Sequence, residues 1–284
     1  MAQGPLRGVD HLQVVVRDLE MAKRTWARLG FTLTPRGRHQ GRGTGNYCIM
    51  LPEGYIELIG IVDAAQDTRS LERHLAIGPG PIGLAFGASD PEAAATLLEA
   101  EGFRPTGPSD LARAIELPEG EQLLRFRLVT PAEGTVSGFR AFVCHHTTPE
   151  LTRRPGWLGH ANESVGVERY TIAVEDPGPT VDFFRRWFGG QAIAAKGHGH
   201  LVDTGRERIE IVPAAALASL YPGVEAAPGR PLPCLVGLTL QVGDLKRCRA
   251  ALESTGVDPK LGPAGQLSVQ AEEATGVVVG FVQG

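Results

Sequence analysis

The stretch VDHLQVVVRDLEMAKRTWARLGF, residues 9–31, decides the fold that the sequence predicts. Its first ten residues are rich in valine, which is typical of a β-strand. The next residues carry apolar side chains at helical spacing, including Leu19, Ala22 and Trp26, and Gly30 marks the expected end of a helix. The stretch therefore predicts a strand that leads directly into an amphipathic helix.

Three further strand-like segments follow this helix. They are FTLTPRGRH (residues 31–39), NYCIMLP (residues 46–52) and GYIELIGIV (residues 54–62), separated by glycine-rich or Pro-Glu-Gly turns. The predicted order is βαβββ. The same order returns at residue 167, where VERYTIAVED aligns with VDHLQVVVRD and RERIEI aligns with GYIELI. The offset of about 155 residues indicates an internal duplication.

Weaker copies of the strand–helix–glycine pattern lie inside each half. They are GPIGLAFGASDPEAAATLLEAEGF (residues 80–103) and CLVGLTLQVGDLKRCRAALESTGV (residues 234–257). The sequence thus predicts an α+β protein of four βαβββ units in two pairs. The first pair forms an N-terminal domain (residues 1–152), residues 153–166 form a linker, and the second pair forms a C-terminal domain (residues 167–284).

The composition excludes several classes of protein. The 284 residues are 42% hydrophobic and 21% charged, which suits a globular protein with a sizeable core. The net charge of −4 gives no support for nucleic-acid binding. No stretch approaches the roughly 18 apolar residues of a membrane span, and the N-terminus lacks the apolar core of a signal peptide. With only four scattered cysteines, we expect reduced thiols and a cytoplasmic location.

The chain resembles the vicinal oxygen chelate superfamily and, within it, the glyoxalase-like domain proteins. The resemblance lies in residues 9–31, in the strands GTGNYCIML and GYIELIG, and in FVCHHTTPELTRRPGW (residues 142–157). It implies the fold of glyoxalases, bleomycin-resistance proteins and extradiol dioxygenases. In that fold, paired βαβββ units form curved, barrel-like mixed sheets that surround a divalent metal ion.

The resemblance also implies where metal ligands lie, namely a histidine on the first strand of a unit and a glutamate on the last. These positions are His11 and Glu57 in the first unit. Imidazole and carboxylate suit a divalent ion, and facial coordination by them leaves positions open for a chelating substrate. We predict His145 as the third ligand, which would complete a two-histidine, one-carboxylate site.

The register of His145 leaves an alternative open. Neighbouring side chains on a strand point to opposite faces, so only one of His145 and His146 can face the site. Counting from the preceding glycine places the ligand position at Ala141, so either a bulge or bend brings His145 to the metal, or His145 binds substrate instead. If the register differs by one, His146 faces inward instead, and we assign it to substrate binding.

The other three units lack this pair. Gly83 occupies the histidine position of the second unit and cannot bind a metal, and the fourth unit offers only glycines. The third unit has Arg169 in the histidine position and Glu210 in the carboxylate position. Arginine beside glutamate predicts a salt bridge, not a metal site. The C-terminal half is therefore interpreted as a degenerate copy.

Three further residues are candidates for substrate binding. Asn46 shares a face with Cys48 and could donate a hydrogen bond to a substrate oxygen, or it could simply begin a strand. His39 lies in the loop PRGRHQGRGTG, which could close over an anionic substrate or be solvated surface. Arg127 lies on a strand-like segment of the second unit that could reach the site.

These residues predict a metalloenzyme that binds a small substrate through vicinal oxygens. The metal, whether Zn, Fe, Mn, Ni or Co, would act as a Lewis acid, and Glu57 would alternate between ligand and catalytic base. Isomerase or lyase chemistry ranks above dioxygenase chemistry. The alternative is a metal-free protein that sequesters a small molecule, with His11 and Glu57 as a hydrogen-bonded pair. A homodimer is left open.

Overall fold

The computed structural model describes residues 4–132, 138–224 and 229–284, and it contains the four predicted βαβββ units. The first pair of units consists of β1 (Leu6–Val15), α1 (Leu19–Arg28), β2 (Gly37–His39), β3 (Thr44–Met50), β4 (Tyr55–Ile61), α2 (Leu71–Ile77), β5 (Gly80–Ala88), α3 (Pro91–Ala100), β6 (Thr106–Leu117), β7 (Gly120–Thr130) and β8 (Arg140–His146). Helix α2 connects the two units of this pair.

The second pair repeats this order. It consists of β9 (Ser164–Val174), α4 (Pro177–Phe188), β10 (Ile193–Lys196), β11 (Gly199–Asp203), β12 (Arg208–Pro213), α5 (Leu217–Leu220), β13 (Cys234–Val242), α6 (Leu245–Ser254), β14 (Lys260–Leu261), β15 (Leu267–Val269) and β16 (Val278–Gln283). None of the helices in the described ranges is long and apolar enough to cross a membrane.

The strands form two eight-stranded sheets, which confirms the predicted α+β class. The first is a closed barrel in the order β1-β4-β3-β2-β6-β7-β8-β5. The second is an open sheet in the order β10-β11-β12-β9-β13-β16-β15-β14. In the barrel, β1 pairs in parallel with β4 and antiparallel with β5. This pairing brings the first and last strands of the first unit side by side.

The four main helices begin in the same way. An aspartate side chain caps the first turn of each helix by accepting hydrogen bonds from backbone N–H groups, and the four caps are Asp18, Asp90, Asp176 and Asp244. Each cap follows a buried strand, so the acidic residue in the sequence pattern marks the point where strand becomes helix. The shared cap supports the internal duplication at the level of local structure.

One hydrophobic core joins the two halves. Phe86 of β5 packs against Trp187 of α4 with ring centroids 4.9 Å apart, and Phe103 packs against Phe183 at 5.5 Å. Trp187 is 2% exposed, and buried residues of both sheets belong to the same cluster. The C-terminal sheet therefore contributes to the stability of the N-terminal barrel.

The predicted linker, residues 153–166, packs closely against the first unit. The imidazole of His160 accepts a hydrogen bond from Thr32 N at Nδ1 (3.1 Å) and donates one to the Met50 carbonyl from Nε2 (2.9 Å). The buried Asn162 donates to the Leu29 carbonyl. Strand β9 already begins at Ser164, inside the predicted linker. The domain boundaries at residues 152 and 167 remain a prediction.

His160 gives a testable pH dependence. Burial lowers the pKa of His160 below its usual 6.5, and this outweighs the hydrogen bond to Met50. Below pH 6.5 the unfolded chain therefore binds a proton that the folded protein resists, so the free energy of unfolding falls as the pH falls. We expect urea denaturation at pH 7.5 and 5.5 to show a smaller pH effect in His160→Gln. The exposed His198→Gln is the control, and an equal pH effect in both variants would contradict this assignment.

Candidate active site

Glu57 lies at the centre of a polar cluster inside the barrel. It is 3% exposed and is paired across β4 and β1 with Gln13. The Gln13 side-chain amide donates to Oε2 at 2.7 Å, and the Asn46 amide donates to Oε1 at 2.6 Å. These two bonds fix the orientation of a carboxylate that would be costly to bury unpaired. The sequence-predicted residues Asn46 and Glu57 are thus brought together.

Two histidines flank this carboxylate from different sides. Nε2 of His11 lies 3.6 Å from Glu57 Oε2, and Nε2 of His39 lies 3.6 Å from Oε1. Both distances are long for a hydrogen bond. The opposite ring nitrogens are anchored, with His11 Nδ1 2.7 Å from Asp10 Oδ2 and His39 Nδ1 2.9 Å from Thr44 Oγ1. Metal-binding histidines are typically held by such a second partner, which leaves the other nitrogen for the ion.

The protonation states of the cluster suit metal binding. Burial raises the pKa of Glu57, but the neighbouring His11 and His39 outweigh burial and lower this pKa to about 2. Burial lowers the pKa of His39 to about 3, despite the opposing effect of Glu57. At neutral pH the glutamate is therefore ionised and the His39 imidazole is neutral. These are the forms in which both side chains coordinate metals.

The prediction of His145 as third ligand is corrected by the structure. Strand β8 pairs with β5 and β7 without a register shift, so its side chains alternate regularly. Phe142 and Cys144 belong to the interior cluster of the barrel, whereas the His145 imidazole bonds to the Ala88 carbonyl at 2.8 Å. No bulge brings His145 to Glu57. His39, which the sequence suggested only as a substrate contact, lies there instead.

His146 faces the interior but meets a different carboxylate. Its Nε2 lies 3.1 Å from Asp10 Oδ2, and its ring packs on Phe126 at 4.8 Å. Asp10, Cys144 and His146 offer donor atoms within 4.8 Å of one another, so the spacing of these three residues could hold a metal. Burial raises the pKa of the Cys144 thiol well above its usual value, which makes it a poor ligand. We therefore interpret Asp10 as the partner that orients His11.

The predicted role of Arg127 is also corrected. Its guanidinium pairs with Glu92 of helix α3 at 2.5 Å, on the outer face of the barrel. Arg113 of the neighbouring strand β6 points inward and lies 2.9 Å from Cys48 Sγ. The two arginines lie on adjacent strands at positions that face opposite ways. Sequence alternation alone could not decide which of them lines the interior.

Two adjoining spaces lie beside Glu57. A small chamber of about 20 Å³ touches His11, His39 and Glu57. This is about the volume that one water or ion needs. A larger cleft of about 520 Å³ lies next to it, within the range of small-molecule sites. Arg69 and Phe142 line both spaces, so the cleft and the chamber are neighbours.

The structure confirms the salt bridge that the sequence predicted for the third unit. Arg169 Nε lies 3.0 Å from Glu210 Oε2, and Lys196 Nζ lies 3.1 Å from Oε1. Thr171 pairs with Glu210 across β9 and β12, just as Gln13 pairs with Glu57. The carboxylate position is thus kept, and positive side chains occupy the place that His11 and His39 occupy in the barrel.

Removing Arg169 should destabilise the C-terminal half. Loss of one partner of a buried ion pair costs about 3–5 kcal/mol. We expect a somewhat smaller loss of unfolding free energy in Arg169→Met, because Lys196 remains beside Glu210. In the double variant Arg169→Met/Glu210→Leu most of this loss should be recovered. Urea denaturation of the single and double variants tests this, and a double variant less stable than the single one would contradict it.

Comparisons with known proteins agree with this architecture. The model of a glyoxalase-like domain family matches residues 9–188. A search of the curated proteins finds no match. A hypothetical protein from Staphylococcus aureus has a similar structure, with a TM-score of 0.68 and 14% identity, over 97% of this chain and 98% of that chain. A mutant of 4-hydroxymandelate synthase from Streptomyces coelicolor is also similar, with a TM-score of 0.60 and 12% identity, over 98% and 93%.

A third similar structure is a xylose isomerase-like TIM barrel/4-hydroxyphenylpyruvate dioxygenase fusion protein, with a TM-score of 0.60 and 14% identity. It covers 99% of this chain and 49% of the fusion protein. At these identities the three likenesses show the fold alone. The family match shows more: the chain belongs to the glyoxalase-like domain family. Within that fold, its polar cluster around Glu57 lies in the N-terminal barrel.

Proposed function

We propose that this protein is a metal-dependent enzyme whose N-terminal barrel binds a small substrate through two vicinal oxygens. One observation carries the proposal: Glu57 is buried, ionised and flanked at 3.6 Å by Nε2 of both His11 and His39. The imidazole and carboxylate groups of these three side chains are donors that suit a divalent ion, and Nδ1 of each histidine is already anchored. They would hold the ion, with Zn, Fe, Mn, Ni and Co all compatible with the donors.

A bound divalent ion would supply Lewis-acid stabilisation of the negative charge that develops on a substrate oxygen. The protein's own residues prepare the site for this. Asp10 fixes the ring orientation of His11, and Gln13 and Asn46 hold the carboxylate of Glu57. Phe142 and the other apolar residues around the chamber limit the access of water. Fixed polar groups in such a site need little reorganisation during a reaction.

Isomerase or lyase chemistry is our preferred reaction type, and in such a reaction Glu57 is the group placed to accept a substrate proton. With its pKa near 2, Glu57 is a weak base as it stands, because general bases act best when their pKa lies near the working pH. The ligand role of Glu57 is therefore favoured in the resting site, with proton transfer following only when substrate replaces one of its contacts.

A metal-free binding protein is the second candidate, and one observation favours it. Both oxygens of Glu57 already accept strong hydrogen bonds from Gln13 and Asn46, so the cluster is satisfied without an ion. In this function the cleft would sequester a small molecule.

Metal content decides between the two candidates. Untagged protein would be equilibrated with Mn, Fe(II), Co, Ni or Zn, dialysed and analysed by mass spectrometry, and the Co(II) form would be examined by visible absorption. About one ion per chain, with a Co(II) spectrum typical of nitrogen and oxygen ligands, is the expected result. A protein that retains no ion above background under any loading would contradict the enzyme proposal and support the binding protein.

A further inference from the structure

The cleft beside the chamber is strongly cationic. It is lined by Arg69, Arg73, His74, Arg140 and Arg230. None of the described residues that line it is acidic. Four arginines thus line one concave space, although the net charge of the protein is −4. Concave sites lined by one sign of charge attract ligands of the opposite sign.

Arg69 and Arg140 are the two of these arginines that lie deepest in the protein. Arg230 donates to the backbone carbonyls of Gly78, Pro79 and Pro81, which hold it in place. Within the described ranges, no carboxylate lies within 4 Å of the guanidinium of Arg69 or Arg140, and Nη1 of Arg140 is buried without a hydrogen-bond partner. An unpaired buried donor on a charged group is costly, so its presence calls for a ligand.

Arg140 lies opposite a glycine on the neighbouring strand. It pairs with Gly83 across β8 and β5, and a Cβ at position 83 would lie only 2.7 Å from Cβ of Arg140. The backbone oxygen of Arg140 would lie 2.9 Å from the same Cβ, so glycine at position 83 is required by the close approach of β8, whichever side chain residue 140 carries. Gly83 occupies the position where the second unit lacks a histidine. Arg140 lies beside it on the neighbouring strand and points into the interior.

Arg69 is placed by an unusual backbone. Arg69 and Ser70 both have φ of +57°, in the left-handed region that residues other than glycine rarely adopt. Such strain persists where surrounding structure maintains it, often at binding sites. This backbone conformation directs the Arg69 side chain toward the cleft and the chamber, both of which it lines. The guanidinium groups of Arg69 and Arg140 each lie 5.9 Å from the ring of Phe142, on which both converge.

Burial and the neighbouring Arg69 together lower the pKa of Arg140 to about 9. Both arginines therefore bear an electrostatic cost in the ligand-free protein, and a bound anion would relieve it. A planar guanidinium pair matches the geometry of carboxylate and phosphate oxygens.

We propose that Arg69 and Arg140 bind the anionic group of the substrate, a carboxylate or phosphate, in the 520 Å³ cleft, with the reacting end of the molecule directed toward Glu57. The assignment of the anion to a substrate rests on the proposed function, whereas the anion site itself does not. The substrate class is thus a small acid, which is held at its charged end by the arginines. Arg69 lies where the cleft meets the chamber, between the proposed anion site and Glu57.

The test measures anion binding in the absence of metal. Chelator-treated full-length protein would be titrated calorimetrically at low ionic strength with inorganic phosphate, with succinate and with neutral succinamide. We expect both anions to bind and succinamide not to bind, and the tighter of the two anions identifies the group recognised. Arg69→Gln and Arg140→Gln should each weaken binding at least about 10-fold, whereas the exposed Arg24→Gln should bind like the parent protein.

Thermal denaturation adds a readout that misfolding cannot imitate. Arg140→Gln should melt no lower than the parent in the absence of anions, because it removes an unpaired buried charge, yet it should lose the rise in melting temperature that phosphate gives the parent. Glu57→Gln should keep full anion binding, so failure of the metal proposal would leave this result intact. A parent protein that binds neither anion, or arginine variants that bind as tightly as Arg24→Gln, would overturn the inference.

Discussion

Glu57→Gln is expected to abolish metal binding by the N-terminal barrel. The amide keeps the size of the side chain but removes the negative charge that lies 3.6 Å from both His11 and His39. His11→Ala should have the same effect, since it removes the ligand that Asp10 orients. Asp10→Asn is expected to weaken metal binding less, by about 10–100-fold, as is usual for an outer-shell partner. Metal content and Co(II) titration measure all three variants.

The third ligand is tested by a matched pair of variants. His39→Ala should lose the metal, because Nε2 of His39 faces Glu57, whereas His145→Ala should retain it, because that imidazole bonds to Ala88 on the outer face. His146→Ala separates this site from the group formed by Asp10, Cys144 and His146. A metal lost with His146→Ala and kept with His39→Ala would move the ion to that group and refute the arrangement proposed here. Melting curves with chelator present confirm that each variant folds.

Trp187→Ala is expected to destabilise the whole chain by about 3–5 kcal/mol, the usual cost of removing a large buried aromatic side chain. Trp187 is 2% exposed and packs on Phe86 of the barrel as well as on Phe103 and Phe183. The change therefore leaves a cavity in the core that the two halves share. Urea denaturation followed by circular dichroism gives the free energy of unfolding.

The same variant tests whether the halves unfold together. Since they share one core, we expect a single transition that moves to lower urea, with no separate unfolding of the C-terminal sheet. Met21→Ala, on the exposed face of α1 at 58% exposure, should stay within about 0.5 kcal/mol of the parent. Two resolved transitions in Trp187→Ala, with the barrel unfolding as in the parent, would show that the core does not couple the halves.

The sequence by itself determined the order of the elements. A strand, an aspartate cap and a helix follow one another four times along the chain, and local propensity and periodicity are enough to recognise them. The resemblance to the vicinal oxygen chelate superfamily, not periodicity, indicated His11 and Glu57, and the structure places their strands side by side. The salt bridge of Arg169 with Glu210 was predicted for the same reason.

Only the tertiary structure decided which other residues lie beside His11 and Glu57. A period of two shows that His145 and His146 face opposite ways, but the closure of the barrel sets which face is inside. His39 reaches Glu57 because short strand β2 pairs with both β3 and β6, a long-range arrangement that no local pattern encodes. Arg140 faces the cleft because the register of β8 against β5 and β7 places it on the same face as Phe142 and Cys144. Contacts between residues far apart in the chain depend on register and closure, and these are properties of the assembled sheet.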